Sequence, residues 1–217
     1  MKKIVSKITG AVGNRIMNLA DAVIDRKICG RSLVKYVPSI YRDNEKGIGG
    51  TGSQSTHYSI LKRIFSHVTL CPEDVFLDIG CGKGRVLASL IREKSPCQIF
   101  GIEHNGDVGA MAADWAERYE NVHVIVGDAF DLDYDPYTVL FLARPFLPKT
   151  FAAFLEQLEG TLKHPVTLIY WCDQESGHLL KNRPGWNRLF REKLAWIHGL
   201  RIAWWPQYYS IWTYDPE

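Results

Sequence analysis

One stretch constrains the fold more than any other: an apolar run that carries an aspartate and is followed by glycine at every second position, Val75-Phe76-Leu77-Asp78-Ile79-Gly80-Cys81-Gly82-Lys83-Gly84-Arg85. Valine, phenylalanine, leucine and isoleucine in near-continuous order read as a strand buried on both faces, the condition of a parallel sheet. Gly80, Gly82 and Gly84 let the backbone turn sharply and approach a bound group without Cβ interference. Val86, Leu87, Leu90 and Ile91 then mark a helix, whose first amides point back toward whatever the turn holds. The turn reads as a cofactor cradle.

The chain downstream repeats the alternation. A second strand over 98–103 closes on Glu103 and is followed by a helix with Val108, Met111, Ala112 and Trp115 on its apolar face. A third strand over 122–126 closes on Gly127-Asp128, and a fourth over 139–143 follows the turn signal Asp135-Pro136. Phe151, Phe154, Leu155, Leu158 and Leu162 give a helix bounded by Pro148 and Gly160, and 166–171 a fifth strand. Strand and helix in strict alternation predict an α/β domain, a doubly wound parallel sheet covered on both faces. The end differs: 189–197 and 207–214 read as two strands close in sequence, an antiparallel pair at the sheet edge.

Upstream, Ile4, Val5, Ile8, Val12, Ile16, Leu19, Val23 and Ile24 recur at three- and four-residue steps, with Lys2, Lys3, Lys7, Arg15 and Arg26 on the polar face. The expected arrangement packs the apolar face on the domain and leaves the basic face in water. A weak contact with a membrane surface or a partner is the alternative. Residues 31–55, with Pro38, Asp43, Asn44 and the glycines Gly47, Gly49, Gly50 and Gly52, read as a flexible loop and a candidate lid. Its segment Gly49-Gly50-Thr51-Gly52-Ser53 lacks the Gly-Lys-Ser/Thr ending of a P-loop, which excludes that function. Residues 56–68 resume helical spacing through Tyr58, Leu61, Ile64 and Phe65. The expected division is a cover, 1–55, and a core domain, 56–217.

Composition narrows the classes. With 217 residues and 46% hydrophobic content the chain can bury one sizeable core, so no second full domain is expected. A net charge of +2 is too small to indicate a concentrated basic surface, so no nucleic-acid partner is expected. The five cysteines, Cys29, Cys71, Cys81, Cys97 and Cys172, form no Cys-x-x-Cys pair and have no histidine at zinc-ligand spacing. They read as reduced thiols without a metal. With no secretory segment and no apolar stretch long enough to span a bilayer, a cytoplasmic location is expected.

In an open parallel sheet ligands sit beyond the carboxyl ends of the strands, and three of those ends are acidic here: Asp78, Glu103 and Asp128. The dinucleotide fingerprint Gly-x-Gly-x-x-Gly fits poorly, since Arg85 stands where its third glycine belongs. Asp-x-Gly-x-Gly-x-Gly suits a cofactor without phosphate that carries a cationic amino-acid end. Glu103 can accept from both hydroxyls of a ribose and Asp128 from an adenine amino group. With these residues in place the sequence resembles the class I, seven-stranded S-adenosylmethionine-dependent methyltransferases from about residue 56 to the C-terminus. The resemblance implies a seven-stranded sheet with a reversed final strand. It also implies that Asp78, Gly80, Gly82 and Gly84, with Cys81 in the same turn, flank the methionine part of the cofactor, Glu103 the ribose, and Asp128 with Ala129 the adenine. Thr56-His57-Tyr58 and 73–78 further resemble a subset that includes lysine-modifying protein methyltransferases, which makes Tyr58 either a cofactor contact or a core aromatic.

Methyl transfer from a sulfonium is an in-line displacement with a good leaving group, so alignment and exclusion of water suffice unless the acceptor must lose a proton. After the fourth strand many nitrogen-modifying relatives carry Asn or Asp before Pro-Pro and an aromatic. Here Leu142-Ala143-Arg144-Pro145-Phe146 keeps Pro145-Phe146 without the polar acceptor, which points away from methylation of amino groups on nucleobases or amides. Arg144 is a candidate for an anionic substrate group, or else an ordinary salt-bridged arginine. Tyr170 and Asp173 are further catalytic candidates, with a helix cap as the other reading of Asp173. His57 and His104 are possible bases. Trp196, Trp204, Trp205, Tyr208, Tyr209, Trp212 and Tyr214 are expected mainly to pack the edge strands. The sequence thus reads as a methyltransferase acting on an unidentified acceptor, a protein side chain or a small molecule. The alternatives are a non-catalytic S-adenosylmethionine-binding or partner-binding protein and, less favoured, an NAD-dependent oxidoreductase.

Overall fold

The structure is a computed structural model that describes residues 2–203 and 205–216, with side chains from Thr9 onward. The side chains of Lys2, Lys3, Ile4, Val5, Lys7 and Ile8, and Trp204 altogether, lie outside the described residues.

Seven strands form the main sheet: β1 (Val75–Ile79), β2 (Gln98–Glu103), β3 (Val122–Val126), β4 (Val139–Leu142), β5 (Val166–Trp171), β6 (Trp186–Leu194) and β7 (Gln207–Tyr214). Their order is β3-β2-β1-β4-β5-β7-β6. The first five run parallel. β7 is antiparallel to both its neighbours, β5 and β6, so only the final strand is reversed. The terminal pair is therefore present, but the last strand inserts inside the one before it and β6 takes the edge. The strand expected over 189–197 stops at Leu194; Trp196–Ile197 leaves the sheet and pairs with Leu200–Arg201 in a separate ribbon.

The near-continuous apolar character of β1 follows from burial on both faces. Phe76 joins one core with Leu87, Ile99, Trp115, Phe141 and Ile169. Leu77 and Ile79, pointing the other way, join a second core with Leu140, Phe151, Phe154, Leu158 and Leu168. The helices α2 (Tyr58–Phe65) and α3 (Arg85–Arg92), with Trp115 of α4 (Gly106–Ala116), cover the first face, and α5 (Pro148–Thr161) covers the second. β2 and β4 flank β1 on opposite sides, so the chain changes winding direction at β1 and a crevice opens beyond the end of that strand.

The N-terminal helix α1 (Lys2–Cys29) departs from the expected arrangement. Its inward positions are Gly13, Met17, Asp21, Asp25 and Cys29, spaced by four. Val12, Ile16, Leu19 and Val23, the expected packing stripe, are 52, 47, 72 and 54% exposed. The cause lies in Arg85. Its guanidinium is buried and takes its counter-charges from α1: Nη2 donates to Asp25 Oδ2 at 2.7 Å, Nε to Asp25 Oδ1 at 3.1 Å, and Nη1 to Asp21 Oδ2 at 3.2 Å. Asp21 also holds His57 Nδ1 at 2.6 Å, and Asp25 accepts from the Leu33 amide at 2.8 Å. A buried arginine must be paired, so the acidic side of the helix faces in and Val12, Ile16, Leu19 and Val23 face out, while Ile24 of the same expected stripe stays half-buried against the first core. Gly13 permits the close approach this needs, since a Cβ there would lie 2.3 Å from the Arg201 carbonyl oxygen.

Residues 31–55 are held as a strap rather than a free loop. Val37 bridges Ser53, Arg42–Asp43 pairs with Ile48–Gly49, and Gly50 bridges Phe146. The strap is fastened to the segment after β4: the Thr51 amide donates to the Pro145 carbonyl at 2.8 Å, Thr51 Oγ1 to the Arg144 carbonyl at 2.7 Å, and the Leu147 amide to the Gly49 carbonyl at 2.8 Å.

Candidate functional site

The crevice beyond β1, roofed by the strap, is a cavity of about 270 Å³. Its floor comes from the glycine turn (Asp78, Gly80, Cys81, Gly82), one wall from the end of β2 (Glu103, His104), and another from the turn after β3 (Asp128, Ala129, Phe130). Pro145 and Phe146 bound it on the β4 side, and Ser39, Ile40, Tyr41, Thr51 and Ser53 of the strap close over it.

Asp78 is the outstanding polar group. It is 1% exposed, and neither carboxylate oxygen has a hydrogen-bond partner. Burial first, and then the negative charge of Glu103, push its pKa well above the usual carboxylate range. A buried, unpartnered carboxylate facing a cavity is costly unless a cation or donor arrives to meet it. Burial likewise raises the thiol of Cys81, with Asp78 and Glu103 adding to the effect, so the thiol is neutral and serves as an apolar floor.

Glu103 is fixed in place. Its Oε2 accepts from the Gly82 amide at 2.8 Å and its Oε1 from the Asn105 amide at 2.9 Å. Each oxygen keeps a free lone pair, so the carboxylate remains an acceptor for paired hydroxyls. Asp128 caps the single turn Ala129–Asp131 through Oδ1, which accepts from the Phe130 amide at 3.0 Å, while Oδ2 lies 3.8 Å from His104 Nδ1. The capping role and a binding role therefore fall on different oxygens of the same side chain.

The glycines divide. Gly80 (φ +76°) lies against Pro145, and a Cβ there would come within 2.6 Å of the proline ring; both residues line the cavity. Gly84 (φ +85°) faces away from the cavity, because a Cβ there would strike the Trp115 indole at 2.6 Å. Its glycine is required by the start of α3 and by Trp115, whose Nε1 donates to the Lys83 carbonyl at 3.0 Å.

Of the expected cofactor contacts, Asp78, Gly80, Cys81, Gly82, Glu103, Asp128 and Ala129 come together in one cavity, and Gly84 and Tyr58 do not. Tyr58 is a core aromatic, with the guanidinium carbons of Arg85 and Arg92 5.6 and 5.7 Å from its ring centre. The three catalytic candidates also lie off the cavity lining. Arg144, held at φ +53°, pairs with Glu175. Tyr170 is buried in the second core against Phe151. Asp173 is locked by Arg191 in a two-point ion pair at 2.8 Å for both contacts. His57 is buried in the Asp21 network, and His104 alone of the two histidines reaches the cavity. The strap residues Ser39, Ile40 and Tyr41 were not singled out by sequence, which offers no motif for them. Beyond departing from the dinucleotide motif, Arg85 carries a second signal: a charged residue opening an apolar helix implies acidic partners elsewhere in the chain.

Residues 76–164 match the family profile of a methyltransferase domain. A probable ribosomal RNA small subunit methyltransferase A of Methanosarcina acetivorans is 29% identical over 102 residues, covering 45% of this chain and 36% of that protein. The chain spans about a third of the length of the curated relatives it matches. Among solved structures, an RNA methyltransferase from Salinibacter ruber in complex with S-adenosyl-L-homocysteine superposes with a TM-score of 0.56 at 20% identity, over 75% of this chain and 95% of that one. An S-adenosylmethionine-dependent O-methyltransferase from Thermotoga maritima superposes with a TM-score of 0.55 at 20% identity, over 76% and 68%. At these identities the structural likeness establishes the fold.

Proposed function

We propose that this chain, whose residues 76–164 match a methyltransferase-domain profile and whose main sheet has seven strands, is an S-adenosylmethionine-dependent methyltransferase whose cofactor lies in the cavity beyond β1. The observation that carries the reading is Asp78, a carboxylate buried without partners on the cavity floor. A cofactor with an ammonium group answers that orphaned charge, whereas a pyrophosphate would be repelled by it and by Glu103. When bound, S-adenosylmethionine supplies an electrophilic methyl group on a sulfonium.

The residues present fit this group. Asp78 would pair with the ammonium, Glu103 would accept from the ribose hydroxyls, and Asp128 Oδ2, the oxygen outside the cap, would accept from the adenine amino group. Gly80 and Gly82 let Pro145 and Ser53 close onto the turn, where a Cβ would meet them at 2.6 and 2.5 Å, and the strap excludes water from the reacting atoms. The 1–55 segment acts as the cover of the core. Its fastening to the Arg144 and Pro145 carbonyls supports a part in shaping acceptor choice.

The wall after β4 offers Ala143, Pro145 and Phe146 to the cavity, none with a side-chain acceptor. This supports an acceptor other than the amino group of a nucleobase or an amide, on a small molecule or a protein side chain. A second reading, an RNA acceptor, is favoured by the names of the relatives, and it runs against the expectation of no nucleic-acid partner drawn from net charge. The five free thiols support a cytoplasmic setting.

Incubating the protein with methyl-labelled S-adenosylmethionine and cell extract tests the reading. Label should enter a fraction lost on either size filtration or protease digestion. Label lost only on nuclease treatment would select the RNA reading, and no labelled fraction at all would select a non-catalytic binder.

A further inference from the structure

We propose that the outward face of α1, together with the start of the strap, docks on an anionic phospholipid bilayer with the helix lying in the interfacial plane. The face itself is the first observation. Val12, Ile16, Leu19 and Val23 form one stripe at helical spacing, each about half exposed or more, while the acidic residues of the same helix are turned inward onto Arg85. A helix that merely covered a domain would place such residues against the protein. Here they face outward as an aliphatic ridge.

Charge is the second observation. Residues 1–42 contain nine Lys and Arg against only Asp21 and Asp25, a formal charge of +7 that leaves −5 on the rest of the chain. Both acids are buried, so every exposed ionised side chain described between Thr9 and Arg42 is basic. The modest net charge of the whole chain hides this separation. Arg15, Arg26 and Lys27 are exposed beside the aliphatic ridge, the pairing of apolar stripe and basic flank that an anionic lipid interface selects.

The strap extends the surface. Arg15 and Leu19 share a shallow depression with Ser32 and Val34, and the chain beyond exposes Tyr36, Ile40 and Tyr41. Ile40 and Tyr41 also line the cavity, so the strap carries exposed apolar residues as far as the cavity roof. No described helix is long and apolar enough to cross a membrane, which leaves the interfacial mode. A second copy is a poorer occupant, because a symmetric pairing would set basic flanks against one another. RNA would engage the basic groups and leave the ridge without a partner.

Sedimentation with vesicles of phosphatidylcholine alone, and of phosphatidylcholine mixed with phosphatidylglycerol, tests the proposal without cofactor or acceptor, so its failure leaves the methyltransferase reading intact. The protein should partition onto the mixed vesicles and be released by high salt. Ile16→Glu and Leu19→Glu should each lower partitioning by about tenfold or more. Arg15→Gln, Arg26→Gln and Lys27→Gln should each lower it by about fivefold. All five positions are outward, so unchanged thermal midpoints confirm that the variants fold. Equal sedimentation with and without phosphatidylglycerol, or binding indifferent to the two Glu variants, would overturn the proposal. So would absence of vesicle binding together with either a dimer dissociated by Leu19→Glu or salt-sensitive binding of an RNA oligonucleotide.

Discussion

Asp78 sits at a cost. Burial lifts its pKa in the folded protein above the ordinary aspartate value near 3.9. The folded state therefore binds the proton more tightly than the unfolded chain. The associated stability is fully present below the unfolded value and is lost as pH rises through the raised native one. At neutral pH the ligand-free protein bears that penalty, which an amide would relieve. Asp78→Asn should raise thermal stability at pH 7 by about 1–3 kcal/mol, with the gain vanishing toward pH 3 in a melting series. A loss of stability at pH 7 would mean that the carboxylate has an internal partner. Glu103, by contrast, accepts from two backbone amides.

At the scale of elements, α1 and α3 are locked through Arg85. Removing the guanidinium would leave Asp21 and Asp25 buried without a counter-charge, so Arg85→Met should cost about 3–5 kcal/mol in urea unfolding. Replacing Asp21 and Asp25 by leucine in the same variant should recover much of that loss. Lys at this position should not substitute, since one ammonium cannot reproduce the two-point contact with Asp25 while also reaching Asp21. If Arg85→Met alone were neutral, α1 would be held by other contacts. The inverted orientation of α1 also shows where sequence reading ends. The strand at Val75–Ile79 was legible because burial on both faces leaves a continuous apolar run, and Glu103 and Asp128 because they close strands at fixed places. The apolar period of α1 was legible too, yet its direction was not, because it depends on an arginine sixty residues away. Tyr170 and Asp173 stood near the end of β5 in sequence and Tyr58 in the segment before β1, but packing put each off the cavity lining. The strap carries no periodic signal, and only its ladder to Pro145 and Phe146 reveals its place.

The whole molecule separates two tasks. The sheet and glycine turn present a fixed acidic cavity, and the N-terminal segment supplies a basic, partly apolar surface and part of the cavity roof. If donor binding belongs to the first part and the choice of surroundings to the second, as proposed, substitutions on the outer face of α1 and at Asp78 should be separable. The reading of the first part rests on a carboxylate that waits for an ammonium group. Calorimetric titration with S-adenosylhomocysteine and with methylthioadenosine, which lacks the amino-acid end, tests this in the wild type and in Asp78→Asn. S-adenosylhomocysteine should bind the wild type more tightly, and Asp78→Asn should abolish most of that advantage while leaving methylthioadenosine affinity nearly unchanged. An advantage of the same size in both proteins would contradict the assignment of Asp78 to the cofactor.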